Sequence, residues 1–303
     1  MQQLSFFENI ETNSPENDLI NTSRGVQQFN LQLLKWIGNK QRFAYEIIKY
    51  FPERFGTYFE PFLGSGGVLA TLFPKRAIAS DSFSLLIEIF KTLQSDPERL
   101  KQWYAERWHR MKAGDKRAVY EEIRSSYNIN PNAADLVFIS RACYGGVVRF
   151  RVDGYISTPV GIHEPISPNS FSRRVDEWHK RTQYTTFYCL DFEEAMSMAK
   201  PGDLIYCDPP YSHSQSILYG AQSFDLEHLL SMIEFCKRKN IYVALSIDGS
   251  KKSGGLLCNL PIPQGLFERE VFLKIGRSML KRFQMNGKTL EGEVVRDRLL
   301  LTY

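Results

Sequence analysis

The chain has 303 residues, 43% of them hydrophobic, with a formal net charge of +4 and a sequence pI near 8.7. That length supports a full core with one main unit and a sizeable insertion, and the mild basic excess suits a polyanionic partner without requiring one. Its five scattered cysteines (Cys143, Cys189, Cys207, Cys236, Cys258) form no CxxC pair and no His-associated metal spacing, and no apolar run is long enough to cross a bilayer; these features exclude a disulfide scaffold, a zinc module and a membrane span, and lead us to expect a cytoplasmic chain without signal peptide or metal.

Residues 1–29 are rich in Asn, Glu, Ser and Thr with little periodicity, which predicts a flexible or loosely docked leader. Order is expected from Leu31, in the run L-Q-L-L-K-W-I-G-N-K, and Phe43, Ile47, Ile48 and Phe51 then recur at helical spacing until Pro52 stops the helix. Residues 57–63 read as a strand with Pro61 at its very end. Gly64-Ser65-Gly66-Gly67 follows, and Val68, Leu69 and Leu72 open a helix.

A strand, a glycine turn and a helix make the first half of a nucleotide-binding βα unit, where glycine lets the backbone approach a ligand closely. Residues 76–80 form a plausible second strand that delivers Asp81. Asp81 lies 17 residues after Gly64, near the roughly 20 at which an acidic residue grips ribose hydroxyls. The same residue also suits the N-cap of a helix over 83–93. The order of turn and acid favours an adenosyl-type cofactor.

From residue 96 to 184 the composition changes to helical patterns rich in Arg, Lys, Trp and Tyr, over 100–111, 116–127 and 133–143. Two β-prone runs, 147–152 and 155–160, then flank Asp153-Gly154, a pairing that predicts a type I′ hairpin. Arg149 and Arg151 interleave with Phe150 and Tyr155, as suits a ribbon laid in a nucleic-acid groove; a solvated surface hairpin fits the pattern equally well.

Core character resumes with a strand over 186–190 that ends at Asp191-Phe192, a helix over 192–199, and a strand over 203–207. That strand leads into the stretch I-Y-C-D-P-P-Y at 205–211. Asp208 arrives at the strand's carboxyl edge, Pro209 and Pro210 fix the backbone, and Tyr211 follows. Here a carboxylate and a fixed carbonyl can accept hydrogen bonds from an exocyclic amine while an aromatic face stacks on its ring. The bland alternative is a strand-ending Asp before a proline turn. Further on come a polar loop with His213, an amphipathic helix over 224–239 with acids in its first turn and cations in its last, a buried strand over 241–247, an irregular loop over 250–265, and closing strands at 267–275 and 298–303. Lys274, Arg277, Lys281, Arg282 and Lys288 cluster before the last strand, where they contact phosphates or are simply solvated.

With these motifs in view the chain resembles the Dam-like (D12) class of DNA adenine-N6 methyltransferases. The resemblance rests on K-W-I-G-N-K at 35–40, E-P-F-L-G-S-G-G at 60–67, Asp81, the run from Arg141 to T-P-V-G at 158–161, F-Y-C-L-D-F at 187–192, D-P-P-Y at 208–211 and V-x-D-R-L-L-L-T-Y at 295–303. It implies an α/β fold: a Rossmann-like S-adenosylmethionine-dependent methyltransferase sheet from residues 30–95 and 185–303, with an inserted, mostly helical target-recognition domain over 96–184 that carries a hairpin at 144–161.

The resemblance further implies that Trp36 and Lys40 contact the methionine part of S-adenosylmethionine and that Phe62, Gly64 and Gly66 line its pocket. Asp81 would hold the ribose, and Asp191 with Phe192 the adenine. Asp208, Pro209 and Tyr211, with Pro210 beside them, would hold a target adenine flipped out of the duplex. Tyr144 stands where the family inserts an aromatic, Arg149 at a base-reading arginine, Arg151 beside it, and Val147 and Pro159 at apolar base contacts. The implied partner is double-stranded DNA read as a monomer, with a restriction endonuclease for the same site as a further expectation. Departures around Gly145, Val148 and Arg151 leave the target sequence open. An RNA guanine-N2 methyltransferase is the alternative enzyme, since the same corner can hold a guanine amine.

Overall fold

Residues 19–210, 224–248, 262–276 and 295–303 are described by a computed structural model of the chain. In chain order the strands and helices begin with β1 (Asn21–Thr22), α1 (Ala44–Ile48), β2 (Arg54–Phe55), β3 (Tyr58–Glu60), α2 (Gly67–Leu72), β4 (Ala77–Ser80) and α3 (Ser84–Ser95). Four helices follow: α4 (Pro97–Ala113), α5 (Lys116–Ile129), α6 (Ala133–Ala142) and α7 (Pro168–Thr182). The remainder is β5 (Thr185–Tyr188), α8 (Phe192–Ser197), β6 (Leu204–Cys207), α9 (Leu226–Arg238), β7 (Tyr242–Asp248), β8 (Arg269–Gly276) and β9 (Val295–Leu301).

Short polar residues start most of these helices because their side chains accept the orphan first-turn N–H groups. Asp96 caps α4 with Pro97 at its first position, Asp115 caps α5, Asn132 caps α6, and Ser167 with Pro168 opens α7. Asp191 and Glu194 form a reciprocal capping box on α8. Helix α7 has no counterpart among the expected helices, although Phe171, Val175, Trp178 and Thr182 lie buried along one face.

Among the described residues seven strands make one sheet in the order β5-β4-β3-β6-β7-β9-β8. The first five run parallel, and β9 and β8 are antiparallel to their neighbours. The chain leaves β3 toward β4 but leaves β6 toward β7. The boundary between β3 and β6 is therefore the switch point, where open α/β sheets form a ligand crevice at the strands' carboxyl ends. Glu60 ends β3, and Asp208 directly follows β6.

One apolar layer, on the face covered by α8 and α9, includes Met196, Leu229, Ile233 and Cys236 packed on Ile205 and Val243. The other is larger and continuous, joining α1, α2 and α3 to the inserted helices through Phe29, Phe90, Tyr104 and Phe171. Trp178 of α7 stands 5.8 Å from Phe29 and 6.1 Å from Phe90, ring to ring. The insertion shares this core with the sheet instead of closing a separate one.

Of the leader expected to be flexible or loosely docked, residues 19–29 are docked: the Asn21 side chain donates to the Gly56 and Arg76 carbonyls and accepts from Lys75 N–H, β1 pairs with β2, and Phe29 is buried. A single Asn supplying both donors and acceptors anchors a segment that shows no periodicity. One expectation is corrected, at the turn of the ribbon. The turn at Asp153-Gly154 is not type I′, which needs positive φ at both central residues. Only Gly154 is left-handed (φ 82°), in a three-residue loop closed by Arg151 N–H to the Tyr155 carbonyl at 2.8 Å.

Gly67 marks the tightest contact near the crevice. A Cβ there would stand 2.6 Å from the Gln41 backbone nitrogen, so α2 and the segment that follows Lys40 touch backbone to backbone. Gly67→Ala should lower unfolding free energy by about 1–3 kcal/mol through overpacking, as read from urea denaturation midpoints.

Candidate active site

A crevice of about 320 Å³ opens at the switch point. Trp36 and Lys40 come from the segment before α1, and Phe62 and Gly64 from the turn after β3. Asp81 follows β4, Asp191 and Phe192 open α8, and Asp208, Pro209 and Pro210 form the corner after β6. Ten of the residues singled out from the sequence thus line one cavity. Gly66 does not. Its left-handed backbone (φ 64°) forms the tight turn into α2, and its Cα faces Leu63 and Phe90 rather than the crevice. Tyr211 and His213, like Arg277, Lys281, Arg282 and Lys288, lie outside the described residues.

At the floor, Lys40 Nζ is 3.1 Å from Asp208 Oδ1, with the two side chains only 8% and 17% exposed. The ammonium expected at the cofactor's methionine therefore also serves the carboxylate of the corner. Glu60, missed by the sequence reading although it opens the E-P-F motif, lines the same floor and accepts from Tyr58 Oη at 2.7 Å. Burial pushes its carboxyl up to about 8, with Asp208 adding to the shift and the Tyr58 hydrogen bond opposing it. At neutral pH the floor then holds a neutral Glu60 beside a Lys40–Asp208 ion pair, which avoids two adjacent buried carboxylates.

Asp81 accepts from Gly64 N–H through Oδ2 and from Phe83 N–H through Oδ1, both at 3.0 Å. Burial raises its pKa, and these two N–H groups oppose the rise. The acid thus fixes the glycine turn, and each oxygen retains a lone pair for a hydroxyl. Asp191 Oδ1 is engaged as the α8 cap, accepting from Glu194 N–H at 3.0 Å.

The opposite wall is aromatic. Phe62 and Phe192 stack at 5.4 Å, and Phe224 meets Phe62 edge-on at 5.8 Å. His228 of α9 stands 5.2 Å from the Phe192 ring, with Nε2 3.3 Å from Glu193. Phe224 is expected at the start of a helix, and His228 carries no expected role; its place in the first turn of α9 is the available signal. This donor set fits an adenosyl cofactor: apolar rings for a base, a turn-fixed carboxylate for hydroxyls, and room of the size that small-ligand sites use. Among the described residues no group of three or more His, Cys, Asp or Glu is arranged to hold a metal ion, and no helix is long and apolar enough to cross a membrane.

The residues expected to read DNA lie on the segment between α6 and α7. Tyr144, in a 3-10 turn at Tyr144–Gly146, is 38% exposed, and its N–H donates to the carbonyl of exposed Pro159 at 2.8 Å. Arg151 is exposed and pairs with Asp153 at 2.9 Å. Arg149 is half-buried, its N–H donating to Thr158 Oγ1 at 2.8 Å. Val147 is a correction: at 1% exposure it offers no surface to a base. Gly145 and Gly146 are both left-handed (φ 66° and 65°) and turn the chain so that Val147 and Val148 both point inward. The stem of exposed Lys35, another residue the sequence reading passed over, lies against Gly146. This segment reaches the crevice through rings: Phe150 meets Phe83 edge-on at 5.5 Å, and Phe83 stacks with Trp36 at 6.2 Å.

Glu60 gives the site a pH signature. Its folded pKa of about 8 exceeds the ordinary 4.5. Between those values the folded chain keeps a proton that the unfolded chain releases, so this group lowers stability as pH rises through the window. Glu60→Gln should match the parent's urea midpoint near the bottom of that window and exceed it at the top. Parallel pH profiles would remove Glu60 from this role.

The profile of the D12 class N6 adenine-specific DNA methyltransferases matches residues 36–259. The retron Ec67 DNA adenine methylase of Escherichia coli is 28% identical over 212 residues, covering 67% of this chain and 72% of that protein. The type II methyltransferase M1.LlaDCHI of Lactococcus lactis subsp. cremoris is 25% identical over 233 residues, 71% of this chain and 80% of its own. A solved rRNA methyltransferase, aviRa from Streptomyces viridochromogenes, overlays with a TM-score of 0.36 at 12% identity across 95% of this chain and 92% of its own, a likeness too loose to bear on substrate. With 224 of its residues under one family profile, the chain belongs to the D12 class of N6 adenine-specific DNA methyltransferases.

Proposed function

We propose that the crevice binds S-adenosylmethionine against Phe62, Phe192, Asp81 and Trp36, and that Asp208 and Pro209 hold the N6 amine of an adenine flipped from a short duplex sequence. One observation supports this reading above the others: the wall suited to an adenosyl group and the Asp208-Pro209-Pro210 corner open into the same cavity. Donor and acceptor therefore need no transfer between sites.

S-adenosylmethionine, when bound, supplies a methyl group activated by a sulfonium. The chain's own task is then to position the nucleophile. The adenine N6 lone pair is delocalised into the ring; hydrogen bonds from N6–H to Asp208 and to the Pro209 carbonyl favour a more tetrahedral, nucleophilic nitrogen. Fixed alignment of this kind supplies roughly 7–11 kcal/mol. The carboxylate need not act as a strong base before attack, since the nitrogen becomes acidic only once methylated. Lys40 holds Asp208 ionised and oriented for that late proton. Flipping costs a few kcal/mol, and stacking of the base on Tyr211 would return about 1–3 kcal/mol. Net affinity then falls to phosphate contacts.

Tyr144, Arg149, Arg151 and Pro159 are proposed to meet the duplex, with Arg149 reading a base. A monomer acting in the cytoplasm, with a restriction endonuclease for the same site, completes the proposal; likeness to a type II methyltransferase supports that last element.

Methyl transfer from labelled S-adenosylmethionine to unmethylated genomic DNA, with total RNA in parallel, tests the reading. N6-methyladenine is expected at one short motif. Asp208→Ala should lower the rate about 100-fold or more while cofactor affinity holds. Label confined to RNA would transfer the assignment to a guanine-N2 enzyme.

A further inference from the structure

The segment proposed to read DNA is a ribbon with a short, irregular ladder. Its arms share the isolated bridges Cys143 with Val160 and Phe150 with Ile156, and the N–H groups of Tyr144, Arg151 and Ser157 donate to the carbonyls of Pro159, Tyr155 and Arg149 at 2.8, 2.8 and 3.0 Å. Between these a side chain interrupts the ladder: Thr158 Oγ1 accepts from Arg149 N–H at 2.8 Å and donates to the Val147 carbonyl at 3.0 Å. Isolated two-stranded ribbons are marginal, and register is weakly specified where the ladder is incomplete.

Helix α5 supplies what the ribbon lacks. At steps of four residues, a single line of side chains bonds the backbone of the return arm. Lys116 Nζ donates to the Ile162 and His163 carbonyls at 3.0 and 3.2 Å. Tyr120 Oη, with its ring buried, donates to the Thr158 carbonyl at 2.9 Å. Arg124 Nη1 reaches the Ser157 and Thr158 carbonyls at 3.4 Å. Asn128 does what a partner strand would do: Nδ2 donates to the Ile156 carbonyl at 3.2 Å and Oδ1 accepts from Ile156 N–H at 2.8 Å. Only one orientation of that amide, against one residue of the ribbon, makes both bonds.

We propose that Tyr120 and Asn128 of α5 are specificity-determining positioning residues, setting the register at which the ribbon presents Arg149, Arg151 and Tyr155 to DNA. None of these contacts involves the crevice, so the effect should fall on DNA discrimination and spare the cofactor. This inference rests on the reading of the ribbon as the base-reading element.

Two substitutions test it on the full chain. Tyr120→Phe removes one hydroxyl from a buried ring, and Asn128→Asp keeps the acceptor for Ile156 N–H while opposing the Ile156 carbonyl with a like charge. The probes are a duplex carrying the motif mapped by methylation sequencing and duplexes altered by one base pair. We expect KM for the cognate duplex to rise, and discrimination in kcat/KM between the two to fall, by about tenfold each, about 1.4 kcal/mol. Cofactor affinity, kcat and melting temperature should stay close to the parent's. Unchanged discrimination in both variants overturns the proposal, as does a loss of kcat and cofactor affinity in step with KM. Arg149→Ala separates the two levels. If it relaxes specificity while the α5 variants do not, only the positioning role falls; if it leaves specificity unchanged, the ribbon is not the reader and both fall.

Discussion

Two acids stand where the sheet changes direction, and burial raises the pKa of one of them, Glu60, to about 8. Glu60 ends β3 and Asp208 follows β6, the neighbouring strands that diverge at the switch point. Burying both carboxylates as anions would cost several kcal/mol per ion. Lys40 resolves this by pairing with Asp208, while burial and the nearby Asp208 leave Glu60 neutral at physiological pH against the opposing Tyr58 hydrogen bond. The result is a paired carboxylate with no net charge stranded beneath it, which suits the proposed role as acceptor for an exocyclic amine. Much else near the site follows from keeping Lys40 in place.

Its segment is held from several sides. The Gln41 amide donates to the Phe29 and Leu31 carbonyls, both at 3.1 Å, and Gly67 brings α2 into backbone contact with Gln41. The inserted helices contribute as well: buried Arg141 of α6 donates to the Gln32 and Leu33 carbonyls, and Trp178 of α7 to that of Leu31. Burial lowers the Arg141 guanidinium to about 10, still well above physiological pH, so it donates as a cation. The insertion thus braces the catalytic floor as well as carrying the ribbon, and this accounts for the single continuous core across the two parts of the chain.

The sequence disclosed features set by local chemistry. An apolar run ending at Asp208, a glycine turn after β3, an acid after β4 and polar caps before helices all depend on neighbours a few residues away, and the structure brings ten of those site residues to one cavity. It concealed features set by distant partners. Val147 sits in a β-prone run that reads as exposed, yet two left-handed glycines turn it inward. Asn21 looks like part of a featureless leader because its anchors, Gly56 and the 75–76 pair, are remote. Asp153-Gly154 carries the signature of a tighter turn, but Arg151 N–H closes on the Tyr155 carbonyl around a three-residue loop, while α5 side chains bond the return arm. Phe224 reaches the crevice only because α9 packs beside α8, a fact no periodicity conveys.

The same contrast separates chemistry from target choice. The crevice is built from strand ends and capped helix starts, whose geometry is overdetermined by the sheet. The ribbon is built from backbone whose hydrogen bonds are completed by side chains of one helix, and its described ring contact with the crevice wall runs through Phe150 and Phe83. Substitutions on the ribbon or on the facing line of α5 act on different partners from those that fix Lys40 and Asp208. Energetic effects at sites without shared partners add nearly independently. A chain built this way can change its ribbon without disturbing the Lys40–Asp208 floor. Phe150 is the place where that independence should fail, because its ring packs on Phe83 of the crevice wall.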